Sequence, residues 1–588
     1  GVFAVDNGAA RITPAPPADP GRATVNGDAS GVDAFDEITF VVTVENVGSS
    51  PAFNVTIDDP PVAGLACTEP GAGDLVDGNG NPLAFSGTLV GGITLAGALA
   101  GNDGTPGAPY GDDTALLTLR YTLAPEVEPL VTITNEAGVT WTSVPDPSEP
   151  FTRVSDTADA VVAAPRVAKV VSSISPGYAG TGLAHIGEVV TYEVQITIPE
   201  GQVSAARLQD RLPSGLAFVD VLDVTASPAL SSSAGSFAAD VLANAGFNAI
   251  GGGATAPDRQ LVFGPASSQN GFGTVTNSDS DNSTRERITI TYRARVLNAA
   301  VNTSGQARRN RVAWSWQASG EPRRSVETRA PPVRIREAAL RLDKTLTPDS
   351  GDSATPPVIT IEVAHAAGSA ADAFDLVLTD LLPPDMFVDA GLGGVDTSAC
   401  AVPPDSVSVT TGVTSDEVEA LWSEFPLGST CTLTIPTRFP VTLPAGVQLR
   451  NCVEVAWESL RDSDQPLPQP PSNTLGVERV GSGTAPGERN DYLAGSCDIF
   501  KVFGVGVEKT VIDSDQTHTD NIPGTPPDTE SLTIGEIVTF ELVVTIPEVN
   551  VPDLEVSDLL PVTDNVMELL SARTTFVGGQ LTPDTPDP

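Results

Sequence analysis

The segment Gly187-Glu-Val-Val-Thr-Tyr-Glu193 alternates apolar and polar residues, and it returns as Gly535-Glu-Ile-Val-Thr-Phe-Glu541. Runs such as Ile38–Val44, Val189–Ile198 and Ile537–Ile546 share the two-residue period and are rich in Val, Thr and Ile. Gly, Pro, Asp and Asn cut them into short lengths. A period of two sends successive side chains to opposite faces of a sheet. Helix-period segments are nearly absent, so parallel strands joined by helical crossovers are not expected. The chain reads as all-β, built of antiparallel sandwiches. Two short stretches read as helical instead: Ser236–Ala245, and Thr414–Phe425, which opens on a capping-box pattern.

Three more blocks recur in a fixed order. Val167-Ala-Lys169, Leu342-Asp-Lys344 and Val507-Glu-Lys509 each open a unit. Leu208-Gln-Asp210 is echoed by Leu378-Thr-Asp380, by Val556-Ser-Asp558 and, more loosely, by Ile57-Asp-Asp59. Asn135–Trp141, Asn310–Trp316 and Asn451–Trp457 share the spacing Asn-x5-Trp. Such long repeat periods indicate tandem whole domains rather than a solenoid. The expected units are 1–163, 164–334 and 335–481, a Gly/Ser/Pro-rich linker at 482–500, and an incomplete unit at 501–588. The last has the lysine and aspartate blocks but no Asn-x5-Trp strand. It is expected to continue in further sequence or to borrow a strand from a neighbouring chain.

Composition narrows the function. The 588 residues carry 75 acidic and 31 basic side chains, a net charge of −44. That balance argues against nucleic acid, whose phosphates need clustered Lys and Arg. No run approaches the roughly 18 apolar residues of a membrane span. Three histidines, His185, His365 and His518, lie in different units without metal-ligand spacing. No nucleophile elbow or phosphate-binding glycine loop occurs, and Gly251–Gly253 reads as loop. Gly1 opens the chain without Met, which reads as a processed product or a fragment. A soluble, non-enzymatic chain without a cofactor is expected.

Strand parity isolates three polar residues on otherwise apolar faces. Lys169 shares a face with Val167 and Val171, Lys344 with Leu342 and Leu346, and Lys509 with Val507 and Val511. Asp210, Asp380 and Asp558 fall likewise among Leu and Val, and Asn310 and Asn451 among Val and Trp. Each such group costs from about 1 to several kcal/mol when buried without a partner. All three are accommodated at once if they meet. One outcome is a buried ion pair with a hydrogen-bonded amide. In the other, apolar surroundings favour a neutral amine, which attacks the Asn carboxamide while the Asp moves protons.

A strand-opening Lys, an Asp-x-Leu-Pro block and a terminal Asn strand in this order resemble the isopeptide-forming immunoglobulin-like domains of bacterial pilins and surface adhesins. The Gly-Glu-x-Val-Thr-Tyr strand resembles the conserved-repeat domains of long prokaryotic surface proteins. The resemblance implies tandem immunoglobulin-like sandwiches in an elongated array. It also implies the triads Lys169–Asp210–Asn310 and Lys344–Asp380–Asn451, with Lys509 and Asp558 a partial third. The three aspartates would be the autocatalytic acids. In the first unit Asp59 and Asn135 match, but Arg11 stands where the lysine is sought. A guanidinium keeps its proton to about pH 12 and cannot be this nucleophile. No bond is expected there, with an Arg11–Asp59 ion pair in its place.

The five cysteines fit an oxidising compartment. Cys400–Cys431 and Cys452–Cys497 are the expected pairs, the second stapling the linker to the third domain. Cys400–Cys452 with Cys431–Cys497 stays open, and Cys67 has no evident partner. The acidic loops at 277–281 and 513–520 offer oxygen ligands for Ca²⁺ but match no twelve-residue calcium loop. The functional expectation is an extracellular cell-surface stalk, fibre or filament subunit that self-associates. An adhesin or glycan-binding protein is the alternative.

Overall fold

The computed structural model describes the chain except residues 20–24, 103–110, 147–151, 242–245, 248–260, 263–270, 465–477, 483–489, 517–531, 562–565, 576 and 580–588. Among the described residues the chain folds as tandem antiparallel β-sandwiches. Each of the first three units has its own apolar core. In the second unit a four-stranded sheet runs Arg166–Ser175, Val189–Thr197, Arg287–Val296, Leu216–Ala226. Facing it, Gly201–Arg211 and Arg311–Trp316 pair with Asp210 opposite Val312. The third unit repeats the plan. Leu340–Thr347, Val358–His365 and Thr430–Arg438 pair in order, and Ala373–Leu381 lies beside Gln448–Glu458 with Asp380 opposite Val453.

The alternation in sequence becomes alternation in burial. Tyr192, Val194 and Ile196 are buried with their intervening neighbours only partly covered. Along Gln448–Glu458 the buried set is Leu449, Asn451, Val453, Val455 and Trp457. The apolar residues drive the two sheets together, and the polar residue of the same parity is carried in with them.

Three expectations are corrected. Asp416–Phe425 is a strand, not a helix. Asp416, Val418, Ala420 and Trp422 face inward from a central position between two strands, so the two-residue period overrides the capping signal. Only a short helical turn, Phe237–Val241, forms in the other helical stretch, whose end lies outside the described residues, as do Gly251–Gly253 and His518. The stretch read as linker supplies the strand Leu493–Val502, paired along Gln448–Glu458. The strand Thr152–Val162 flanks the Asn135 strand in the same way, and Arg324–Arg329 flanks the Asn310 strand. The Gly and Ser content hid a strand whose Phe500 and Val502 are buried and whose end also pairs with Ser350–Gly351.

In the fourth unit the described strands are Gly506–Ser514 and Val538–Thr545, paired as a hairpin. Cys400 with Cys431, and Cys452 with Cys497, stand at disulfide distance, and Cys67 is a free, partly buried thiol. The second bridge ties the flanking strand to the Asn451 strand, closing a 45-residue separation. Peptide mapping without reduction should recover both pairs. Cys497→Ser should lower the denaturant-derived stability of the third domain by on the order of 4 kcal/mol, the loop-closure value for that length.

Candidate functional site

In the second sandwich three strands bring the polar residues to one point. Arg166–Ser175 supplies Lys169, Gly201–Arg211 supplies Asp210, and Asn310 immediately precedes Arg311–Trp316. The side chains of Lys169 and Asp210 are fully buried and form an ion pair. Asn310 is fully buried too. A fourth residue, which the sequence reading missed, joins them. The Tyr292 hydroxyl accepts from Lys169 Nζ at 2.7 Å and from Asn310 Nδ2 at 2.6 Å, and donates to Asp210 Oδ2 at 2.7 Å. The amine and the carboxamide nitrogen are thus held on one oxygen, which is itself bonded to the acid. The Asn310 carbonyl oxygen is buried without a hydrogen bond.

The surroundings favour a neutral amine. Lys169 Nζ lies 4.9 Å and 5.1 Å from the centroids of the Tyr192 and Tyr292 rings. Burial pulls its pKa down from the usual lysine value to about 8, against the opposing charge of Asp210. Burial raises the Tyr292 phenol, so it stays protonated and remains a donor to Asp210.

The third sandwich reproduces the pair without the tyrosine. Lys344 Nζ meets Asp380 Oδ2 at 2.5 Å, again with both side chains fully buried. Register places Ile359 and Ile435 where the second sandwich has Tyr192 and Tyr292. Asn451 lies beside Asp380, fully buried, and neither polar atom of its side chain makes a hydrogen bond of good geometry. Burial lowers the Lys344 pKa and raises that of Asp380, so both shift toward their neutral forms.

The other two units differ. In the first, Asn135 Nδ2 donates to Asp59 Oδ2 at 3.0 Å, and both residues are buried. Arg11 is not beside them: it is exposed on Arg11–Thr13, paired with Asp28–Val32, and makes no ion pair with Asp59. The expected Arg11–Asp59 pair is therefore withdrawn. The sequence comparison placed Arg11 by its distance along the unit, whereas the ladder places a different strand, Val2–Val5, in the lysine strand's position. In the fourth unit Lys509 Nζ contacts Asp558 at 2.6 and 2.8 Å, but each side chain is 34% exposed.

In the acidic loop at 277–281, the Asp279 and Asp281 carboxylates accept hydrogen bonds from nearby backbone and hydroxyl groups, as in a solvated turn. Among the described residues, the carboxylates close enough to share a cation are instead Asp375, Glu458 and Asp462. No helix among the described residues is long and apolar enough to cross a membrane.

No family model and no curated protein matches the sequence. Among solved structures, the chain is similar to the major pilin subunit BcpA of Bacillus cereus. That match has 9% identity, covers 73% of this chain and 92% of that one, and has a TM-score of 0.21. It is also similar to a C-terminal fragment of the major pilin GBS80 of Streptococcus agalactiae, with 12% identity, coverage of 51% and 87%, and a TM-score of 0.20. The pilus protein RrgB of Streptococcus pneumoniae aligns with 13% identity, coverage of 78% and 62%, and a TM-score of 0.17.

Two outcomes follow from the tyrosine-centred geometry. Tyr292→Phe should slow formation of any Lys169–Asn310 product at least tenfold while leaving the third domain's rate unchanged, read by timed intact-mass measurement during refolding. For wild type, the second domain should react more slowly at pH 6 than at pH 8, because the folded amine loses its proton near pH 8 and only the neutral amine attacks.

Proposed function

We propose that this chain is a structural subunit of an extracellular fibre, whose second and third domains are locked by Lys169–Asn310 and Lys344–Asn451 isopeptide bonds. The observation that carries this reading is the dry lysine–aspartate pair. It occurs twice, each time with a buried asparagine and each time between the opening strand and the Asn strand.

The chemistry balances without a cofactor. The neutral Nζ attacks Cγ of the asparagine, forming the new C–N bond. The aspartate takes the proton from the attacking nitrogen and passes it to Nδ2. The Cγ–Nδ2 bond breaks and ammonia leaves. In the second domain the Tyr292 hydroxyl serves both nitrogens on that route. The reaction consumes a buried lysine and, in the third domain, a carboxamide whose polar atoms make no hydrogen bond of good geometry, so the unfavourable burial of these groups is relieved in the product.

The mechanical consequence follows from strand order. Tension along tandem domains enters near the first strand and leaves through the strand that flanks the Asn strand, and a covalent tie from the first strand to the Asn strand bypasses the hydrogen-bonded ladder between those two. Each tie closes a loop of roughly 110–140 residues, which by analogy with disulfides is worth about 5 kcal/mol through the unfolded chain. A subunit built this way suits self-association into a surface fibre, as the names of the similar pilins also suggest.

Intact mass decides the matter: wild type should be lighter than its sequence by two ammonias. Asp210→Ala and Asp380→Ala should each restore one ammonia while the domain still folds, with lower resistance to heat and protease. A wild-type mass equal to the sequence would leave only buried ion pairs.

A further inference from the structure

The second unit departs from the charge of the chain. Residues 164–334 hold 16 basic and 13 acidic side chains, a net of +3, whereas the rest of the chain carries −47. The first unit, 1–163, has 4 basic and 22 acidic side chains, a net of −18.

The basic excess gathers on the outer face of the sheet that holds Asp210. Leu208, Asp210, Val312 and Trp314 point into the core, so Arg207, Arg211 and Arg311 point away from it. Register sets Arg211 beside Arg311, and Arg311 beside Arg329 of the flanking strand, a row of three guanidiniums across three strands. On the same face Arg207 stands beside Ser315, whose hydroxyl accepts from Arg323 at 3.2 Å. A cavity of about 260 Å³ lies between these groups, floored by Ala313. Glu327 is the one acid lining it, and it pairs with Arg311 at 3.2 Å. Among the described residues no carboxylate pairs with Arg211, Arg323 or Arg329.

Like charges directly opposite one another on neighbouring strands are destabilising. The fold does not demand them here. The residue after the inward asparagine is Glu136 in the first unit, beside Thr157, and Cys452 in the third, beside Leu381 and Cys497. A row that costs stability and is not needed for folding calls for an anionic counterpart.

The matching face of the first sandwich has the opposite sign. Asn135 is buried between Thr134 and Glu136, which therefore point outward. Thr134 Oγ1 donates to Asp159 Oδ1 at 2.6 Å, and the Asp159 backbone N–H donates to Asp28 Oδ1 at 2.8 Å. Arg153 lies between Asp58 and Glu136, at 3.0 and 3.1 Å. Four carboxylates thus share this face with one guanidinium. Arg211, Arg323 and Arg329 on one face, and Asp28 and Glu136 on the other, are exposed, so a single chain does not join its own two faces.

We propose that the arginine face of the second sandwich docks on the acidic face of the first sandwich of a second copy of this chain. Planar guanidiniums and carboxylates pair through two parallel hydrogen bonds, which fixes orientation as well as charge. The contact joins two different surfaces, so each copy keeps one face of either sign free. Such a heterologous contact builds an open filament when its rotation does not close a ring. A long polyanion is the poorer occupant, because it would run from the arginine face onto units of its own sign. This inference rests on the fibre reading and supplies it with a contact between subunits.

The test is sedimentation velocity of the full chain. Association should weaken at least tenfold between about 0.15 M salt, where repulsion beyond about 8 Å is already screened, and about 1 M, where screening reaches about 3 Å. Arg211→Glu with Arg329→Glu should abolish it, and Glu327→Arg, which removes the one acid of the face, should tighten it. Unchanged melting of the double variant separates charge from folding. Arg329→Lys then provides a handle, since two of the four native lysines are fully buried. Carbodiimide coupling in a mixture of isotope-labelled and unlabelled chains should join the new amine to Glu136, Asp28 or Asp159 of another copy. A wild type that stays monomeric, or a double variant that associates as well as wild type, overturns the contact. Coupling to carboxylates of the third or fourth unit overturns the choice of partner face. Monomers that instead bind heparin through this face overturn the second copy as occupant. Two ammonias lost without such association strike this contact alone, whereas a mass equal to the sequence strikes the isopeptide reading whatever the association.

Discussion

A lysine and an aspartate, each fully removed from water between two sheets, set the terms for the rest of this fold. Moving two charges into a low-dielectric interior costs several kcal/mol per ion, and their mutual attraction returns that only with good geometry and further hydrogen bonds. The Val, Ile, Leu and Trp residues of the same strand faces supply the opposing free energy, because they cannot be buried without carrying the pair inward. The charged groups are thus passengers of the hydrophobic pattern. Their position between the opening strand and the strand beside the Asn strand is what gives the pair consequence.

Strand parity carried most of this arrangement, because a period of two is a geometric rule that survives divergence of every other residue. It placed Lys169, Asp210 and Asn310 inward from three separated segments, and the structure brings them to one point. Parity could not reveal Tyr292. That residue lies on a strand with no repeated motif, and the third domain has Ile435 in its place, so comparison between units gave no signal. Its role depends on which side chains cross the gap between sheets, and no single strand encodes that.

The other misreadings have separate physical causes. Thr414–Phe425 carried a local cap signal worth little beside the burial of Val418, Ala420 and Trp422 in a central strand. Leu493–Val502 has the Gly and Ser of a linker, yet a strand needs few large side chains when its backbone pairs along its length with a neighbour. Arg11 was aligned by distance along the chain, although only the ladder defines equivalence. The register of Gly1 against Val41 reassigns the position by one whole strand.

The four units together separate pairing from burial. Lys509 and Asp558 approach each other at 2.6 Å, comparable to the 2.5 Å of Lys344 and Asp380, so distance does not distinguish them. The fourth pair is one-third exposed, where water solvates and screens both partners. The third pair lies among Ile361, Leu433 and Val453, where the neutral forms gain ground. A charged lysine has no lone pair to offer a carboxamide. The core around the residues, assembled by unremarkable apolar alternation, is therefore what distinguishes the exposed fourth pair from the buried third one, and it is the setting that the proposed reaction requires.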